Sequence, residues 1–193
     1  MDNINQVAKI LHVSLEVAKK AMEYGLLKLA SNPEKGLEIL GIDSHAILWQ
    51  ALNIVEIGLE QQVFRNEGLT SPEKAEKELI KLLKLKYQNL EHEVFGLVWL
   101  DNQHRPLDVE ILFRGTIDGC SVYPREVVKS ALKSNAAAVI IFHNHPSGIA
   151  TPSESDKLIT SKLQKALDVI EVRVLDHLIL ADSTVSFSQL GLL

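Results

Sequence analysis

An apolar run over 136–142, Ala-Ala-Ala-Val-Ile-Ile-Phe, passes directly into His143-Asn144-His145-Pro146-Ser147-Gly148, and this junction constrains the chain more than any other stretch. The run is rich in β-branched residues and far too short to cross a membrane, so it reads as a buried strand. Side chains two apart in an extended segment point to the same side. His143 and His145 therefore converge on one point just past the predicted strand end. Asp156 follows eleven residues after His145, a distance that a returning loop can close. Two imidazoles and a carboxylate form a nitrogen–oxygen set suited to a catalytic Zn²⁺, with a fourth position left for water.

The sequence around Asp156 predicts a helix over 153–169. Thr151 is the expected N-cap, Pro152 the first helical residue and Glu154 the capping-box partner. Helical residues three apart share a face, so Ser153 and Asp156 both turn toward the point where the histidines meet.

Elsewhere the pattern separates two regions. Residues 4–66 read as helices only, with one helix capped by Ser14 running to about residue 30 and a break at Asn32-Pro33. A longer helix is capped by Asp43 or Ser44, and Ile47, Ala51, Ile54, Val55, Gly58, Leu59 and Val63 form an apolar stripe expected to pack in a core. Residues 66–70, Asn-Glu-Gly-Leu-Thr, are the linker candidate, and Ser71-Pro72 restarts a helix. From residue 93 the chain alternates. Segments 93–100 and 107–114 are antiparallel strands, the first edge-like, and 125–133 is a helix. Three short strands, 172–175, 177–181 and 185–187, close the chain. The division expected is a helical domain over 1–70 and an α/β (α+β) domain over 71–193, a mixed sheet flanked by helices.

Composition narrows the partners. Apolar residues make up 46% of the 193, enough for a packed core. The formal charge is −5, split as −3 over residues 1–70 and −2 over 71–193. Neither region has the basic excess of a dedicated nucleic-acid binder, and no nucleic-acid-binding residue is assigned. The lone Cys120 excludes an intramolecular disulfide and reads as a small buried or loop residue. With no signal peptide or membrane-length apolar run, the expected location is the cytoplasm. His177 reads as a structural or supporting histidine, and His45, His92 and His104 as surface residues.

The pattern H-x-H-x₇-S-x-x-D, with a glutamate on an earlier strand, resembles the JAMM (MPN+) metalloprotease motif. The words Glu93-Val94-Phe95-Gly96, Leu100-Asp101-Asn102-Gln103, Arg114-Gly115-Thr116-Ile117-Asp118-Gly119, Pro124-Arg125-Glu126-Val127, the His143–Gly148 run and Leu175-Asp176-His177 resemble the bacterial RadC family over roughly residues 71–193. The resemblance implies an MPN/JAB-like sheet of cytidine-deaminase-like architecture. It implies that His143, His145 and Asp156 bind Zn²⁺. Glu93 would take the proton of the attacking water and return it to the leaving amine, and Ser153 would donate to the oxyanion. The implied substrate is a protein or peptide of unknown identity, cut at a peptide or isopeptide bond.

Two weaker signals lie near the start. Residues 6–20 have the cadence of a helix-turn-helix, with His12 where glycine is usual. RadC relatives often carry a helix-hairpin-helix-like segment, matched here by Leu40-Gly41-Ile42-Asp43, where Asp43 replaces the second glycine and opposes a phosphate. DNA contact is therefore expected to be weak. A DNA-associated repair accessory and a folded interaction module with an inert site stand as the competing readings.

Overall fold

The structure, a computed structural model, describes residues 2–65, 72–115 and 121–193. Cys120 and the linker over 66–70 lie outside them. The chain divides into two compact units, Met1–Glu60 and Gln61–Leu193.

The first unit is helical: α1 (Asp2–Leu11), α2 (Leu15–Tyr24), α3 (Leu26–Ser31), α4 (Pro33–Leu40) and most of α5 (Ile42–Arg65). His12 takes the left-handed conformation at φ 54°, so a non-glycine residue makes the turn after α1. Ser14 then caps α2 by accepting from the Val17 N–H at 3.3 Å. The helix expected to run to about residue 30 breaks at Gly25, whose φ of 101° suits only glycine; its N–H closes α2 on the Ala21 carbonyl. Asn32 caps α4 and Pro33 starts it. Gly41, φ 78°, ends α4, and its carbonyl accepts the His45 N–H at 3.1 Å, so α5 begins at Ile42 and not after Asp43 or Ser44. Leu11, Ala21, Leu29, Ile39, Leu40 and Leu48 form the core of this unit. The predicted stripe of α5 packs only in part, since Ile54 and Val55 stay 71% and 51% exposed. His45 is not a surface residue: its ring is half-buried against Gly36 and its Nε2 lies 3.2 Å from the Leu29 carbonyl.

The second unit carries α6 (Pro72–Tyr87), β1 (Val94–Leu100), β2 (Pro106–Arg114), α7 (Pro124–Ser134), β3 (Ala138–Asn144), α8 (Glu154–Asp168), β4 (Arg173–Leu180) and β5 (Thr184–Ser186). The sheet order is β2-β1-β3-β4-β5. β1 is antiparallel to β2 and β3, β3 is parallel to β4, and β5 is antiparallel to β4. The architecture is α+β, a mixed sheet flanked by helices. Parallel neighbours need a crossover, and α8 supplies it between β3 and β4. On one face Phe95, Leu97, Trp99, Val139 and Ile141 pack against Val127 and Ala131 of α7 and Leu163 and Leu167 of α8. On the other, Tyr87 at the end of α6 stacks on Phe142 at 5.2 Å.

Three expectations for the strands of this unit need correction. β1 is an interior strand, buried along its whole length, and not edge-like. β3 runs two residues further than predicted, so His143 and Asn144 lie within the strand, paired to β1 and β4. The apolar run stops at Phe142, but hydrogen bonding to two neighbours does not depend on side-chain polarity. Residues 173–180 form one strand, since Asp176 is accommodated inside it by bonds to Ser186 Oγ at 2.6 Å and the Ser188 N–H at 2.9 Å.

Candidate metal centre

The centre is assembled by strand register and one helix start. Phe95 of β1 pairs with His143 of β3. Paired residues share a face, so Glu93, two before Phe95, is placed on the side of His145, two after His143. From the facing layer, the first turn of α8 brings Asp156.

His143 Nε2 lies 2.9 Å from His145 Nε2 and 3.3 Å from Asp156 Oδ1, and His145 Nε2 lies 3.8 Å from Asp156 Oδ2. Bonds of ~2.0–2.1 Å to a tetrahedral ion put ligand atoms roughly 3.3 Å apart. The three donors have that spacing. Their side chains are 1%, 19% and 13% exposed. His145 Nδ1 donates to the Ile149 carbonyl at 2.6 Å, which leaves the Nε2 lone pair turned inward. Two lone pairs and a carboxylate converging at this distance repel one another unless a cation sits between them. Among the described residues this is the group of three that could hold a metal ion.

The loop after β3 holds His145 in place. Its backbone N–H donates to the Leu180 carbonyl at 2.9 Å, and Gly148 N–H returns to the His145 carbonyl at 2.9 Å. Gly148 has φ 78°, and a Cβ there would lie 3.0 Å from Asp182 Oδ2, so both backbone and space favour glycine.

Ser153, not Thr151, caps α8, and its box partner is Asp156 rather than Glu154. Both registers satisfy the local rule. The one adopted uses a carboxylate at the third helical position that also faces the histidines, while Glu154 pairs with Lys157 at 2.6 Å. Ser153 Oγ donates to Asp156 Oδ2 at 2.7 Å and accepts from the Asp156 N–H at 3.1 Å. The helix cap thus orients a metal-competent carboxylate.

Glu93 is half-buried, and burial raises its carboxyl above the ordinary range, with His145 opposing and Asp156 adding to the rise. Burial pushes His143 down to about 4, against the pull of Asp156 and with a smaller push from His145. His177, fully buried, is held well below its usual value for the same reason. His177 does not reach the convergence point. Its Nε2 sits 2.8 Å from His143 Nδ1, on the far side of that ring.

Sequence reasoning missed the roles of two residues. Asn144 faces away from the histidines and is fully buried; its Oδ1 accepts from the Val94 N–H at 2.7 Å and its Nδ2 donates to the His92 carbonyl at 3.1 Å. It therefore clamps the backbone on either side of Glu93. Thr160 lies one helical turn after Asp156, within 2.6 Å of His177 Nδ1. The four-residue spacing from Asp156 was the available signal for it.

A helix-flanked mixed sheet, with a His-x-His strand end facing a helix-borne aspartate and a half-buried glutamate beside them, defines a JAB-type domain. Residues 70–192 match the family of RadC-like JAB domains, and the chain belongs to that family. It is similar to UPF0758 proteins of Thioalkalivibrio sulfidiphilus (47% identical, over 80% of this chain and 67% of the relative) and Vibrio cholerae (46%, over 76% and 88%). A UPF0758 protein of Aliivibrio fischeri is 41% identical over 92% of this chain and 80% of its own. No described helix is long and apolar enough to cross a membrane.

Proposed function

We propose that the chain is a zinc-dependent metallohydrolase that cleaves a peptide or isopeptide bond with an activated water. The observation that carries this reading is the convergence of His143, His145 and Asp156 beside a half-buried, raised-pKa glutamate. Zinc held by those three side chains would supply the Lewis acidity that makes water nucleophilic near neutral pH.

The remaining steps belong to the protein. Glu93 accepts the proton of the attacking water and delivers it to the departing nitrogen. A carboxyl raised by burial is matched to both tasks, since proton transfer is most efficient when donor and acceptor lie near the working pH. Asn144, holding residues 92 and 94, keeps Glu93 in place for both. Ser153, at the mouth of α8, donates to the developing oxyanion by turning its hydroxyl from Asp156 toward the attacked carbonyl. The unknown substrate is a protein or peptide.

The test is elemental analysis of protein purified without affinity-tag metals, followed by a screen of peptide and isopeptide-linked substrates. About one zinc per chain is expected, with hydrolysis that Glu93→Gln abolishes while the zinc is kept. Zinc-loaded protein that cuts neither substrate class, or a Glu93→Gln variant with near-normal rate, overturns the reading.

A further inference from the structure

We infer that His177 and Thr160 are a positioning pair that locks His143 in the one tautomer able to bind a metal and ties that ring to the helix carrying Asp156. The inference rests on the metal reading above. It starts from the Asp156 backbone carbonyl, which can only accept. Thr160 Oγ1 lies 2.5 Å from that oxygen, so the single hydroxyl proton points there. Oγ1 is then an acceptor toward His177 Nδ1 at 2.6 Å, and Nδ1 must carry the proton. A neutral imidazole has one N–H, so His177 Nε2 accepts. It lies 2.8 Å from His143 Nδ1, which must donate. His143 Nε2 is left with its lone pair directed at His145 and Asp156. The reverse order would put a proton on His143 Nε2 and close it to a metal.

Burial makes the order binding. Thr160 and His177 are 0% exposed and His143 is 1% exposed, so none of the three has solvent to bond instead. The aromatic rings of Phe95 and Phe187, at 5.7 and 4.7 Å from His177, wall the relay and offer it no alternative partner. A ring serving only to fill this space would be better apolar, because an unmet buried polar atom is costly. The relay also closes on itself. Asp156 presents its carboxylate to the site and its carbonyl to Thr160, so α8 and β3 are registered to each other through both groups. His145 has a simpler device, the Ile149 carbonyl. Each histidine's tautomer is thus set by a backbone carbonyl, one directly and one through two side chains.

Zinc affinity, measured by competition with a chelator, tests this on the 193-residue chain with four variants. His177→Leu and Thr160→Val remove the relay and should weaken zinc binding roughly 10–100-fold, the usual effect of losing a partner behind a ligand. His177→Gln can accept from His143 and donate to Thr160, and Thr160→Ser keeps the hydroxyl, so both should recover most of the affinity. Far-UV circular dichroism should be unchanged throughout. In the zinc-loaded protein, imidazole ¹⁵N spectra should place the His177 proton on Nδ1. Wild-type affinity in Thr160→Val or His177→Leu overturns the inference, as does a His177 proton on Nε2 or a His177→Gln variant as weak as His177→Leu. Should His177→Leu fail to fold, the near-isosteric Thr160→Val and its Thr160→Ser control carry the test. Failure of the unsubstituted protein to bind zinc refutes the metal reading itself, and is seen before any variant is made.

Discussion

The three candidate ligands differ in what else they hold, and their variants should differ accordingly. His145 lies beyond the last strand residue and is 19% exposed, so His145→Ala should abolish zinc binding while leaving the Tm of the metal-free protein little changed. His143 lies inside β3 with its ring 14° from parallel to Phe95, so His143→Ala loses the metal and also leaves a hole beside His177. Asp156→Ala also removes the carboxylate half of the capping box, which holds the Ser153 N–H, while Ser153 Oγ still caps the N–H of residue 156, so a modest fall in Tm is expected beside loss of the metal. Elemental analysis and thermal unfolding of the three variants separate these roles. If His145→Ala retained stoichiometric zinc, the ligand assignment would be wrong. The metal-free protein should also be sensitive to acid. His143 is depressed from 6.5 to about 4, and His177 is depressed too. Between those pH values the unfolded chain binds more protons than the folded one, so stability is present above about 6.5 and lost as pH falls toward about 4. Urea unfolding from pH 7 to 4 checks this, and a flat profile would contradict it. His143, His145 and Asp156 were legible in the sequence because local spacing alone groups them. The position of Glu93 was not, since it depends on which residue of β1 pairs with His143, fifty residues away.

At the scale of elements, the tightest fit lies where β1 crosses β3. Gly96 stands against the ring of Phe142, and a Cβ on residue 96 would overlap it. Phe142 cannot swing clear, because it is fully buried and stacked on Tyr87. Gly96→Ala should therefore cost about 1–3 kcal/mol by overpacking, read as a lower urea midpoint, with zinc stoichiometry unchanged. A wild-type midpoint would mean that the ring yields more easily than its packing suggests. Asn144→Ala is the sharper change. It strips a buried clamp from the backbone around Glu93, and should lower kcat on any substrate the screen yields more than it affects zinc content. These elements were read from composition with mixed success. Alternation and apolar runs located the strands of the described residues, although one was read as two, and strand ends and helix starts went astray by one to three residues. The cause is visible at Ser153, where two capping registers satisfy the same local rule and a tertiary demand, the facing histidines, selects one. At Gly25 the helical periodicity continues through the break, and only the positive φ ends the helix.

Across the whole molecule, the helical unit raises the question of whether this chain acts on nucleic acid. The turn between α4 and α5 is the place to look, because a helix N-terminus with free N–H groups attracts phosphate. Here the first turn of α5 already carries Asp43, exposed and acidic, which offsets the positive end of the helix dipole. The first seventy residues carry a net charge of −3, and the whole chain −5, so no surplus of cations is available to replace condensed counterions. The helix-turn-helix cadence does fold as two helices joined at His12, but the polar residues its second helix offers include Glu16 as well as Lys19 and Lys20, and Lys19 already faces Glu23 at 3.9 Å. Binding of the 193-residue chain to duplex DNA is therefore expected to be weak and to fall steeply between 50 and 200 mM salt, the behaviour of nonspecific phosphate contact. Fluorescence anisotropy with a labelled duplex over that salt range measures it. Asp43→Gly should strengthen low-salt binding, since it removes the repelling carboxylate. Nanomolar, sequence-selective binding by the unsubstituted protein at physiological salt would overturn this expectation and make a DNA-associated role the better account of the first unit.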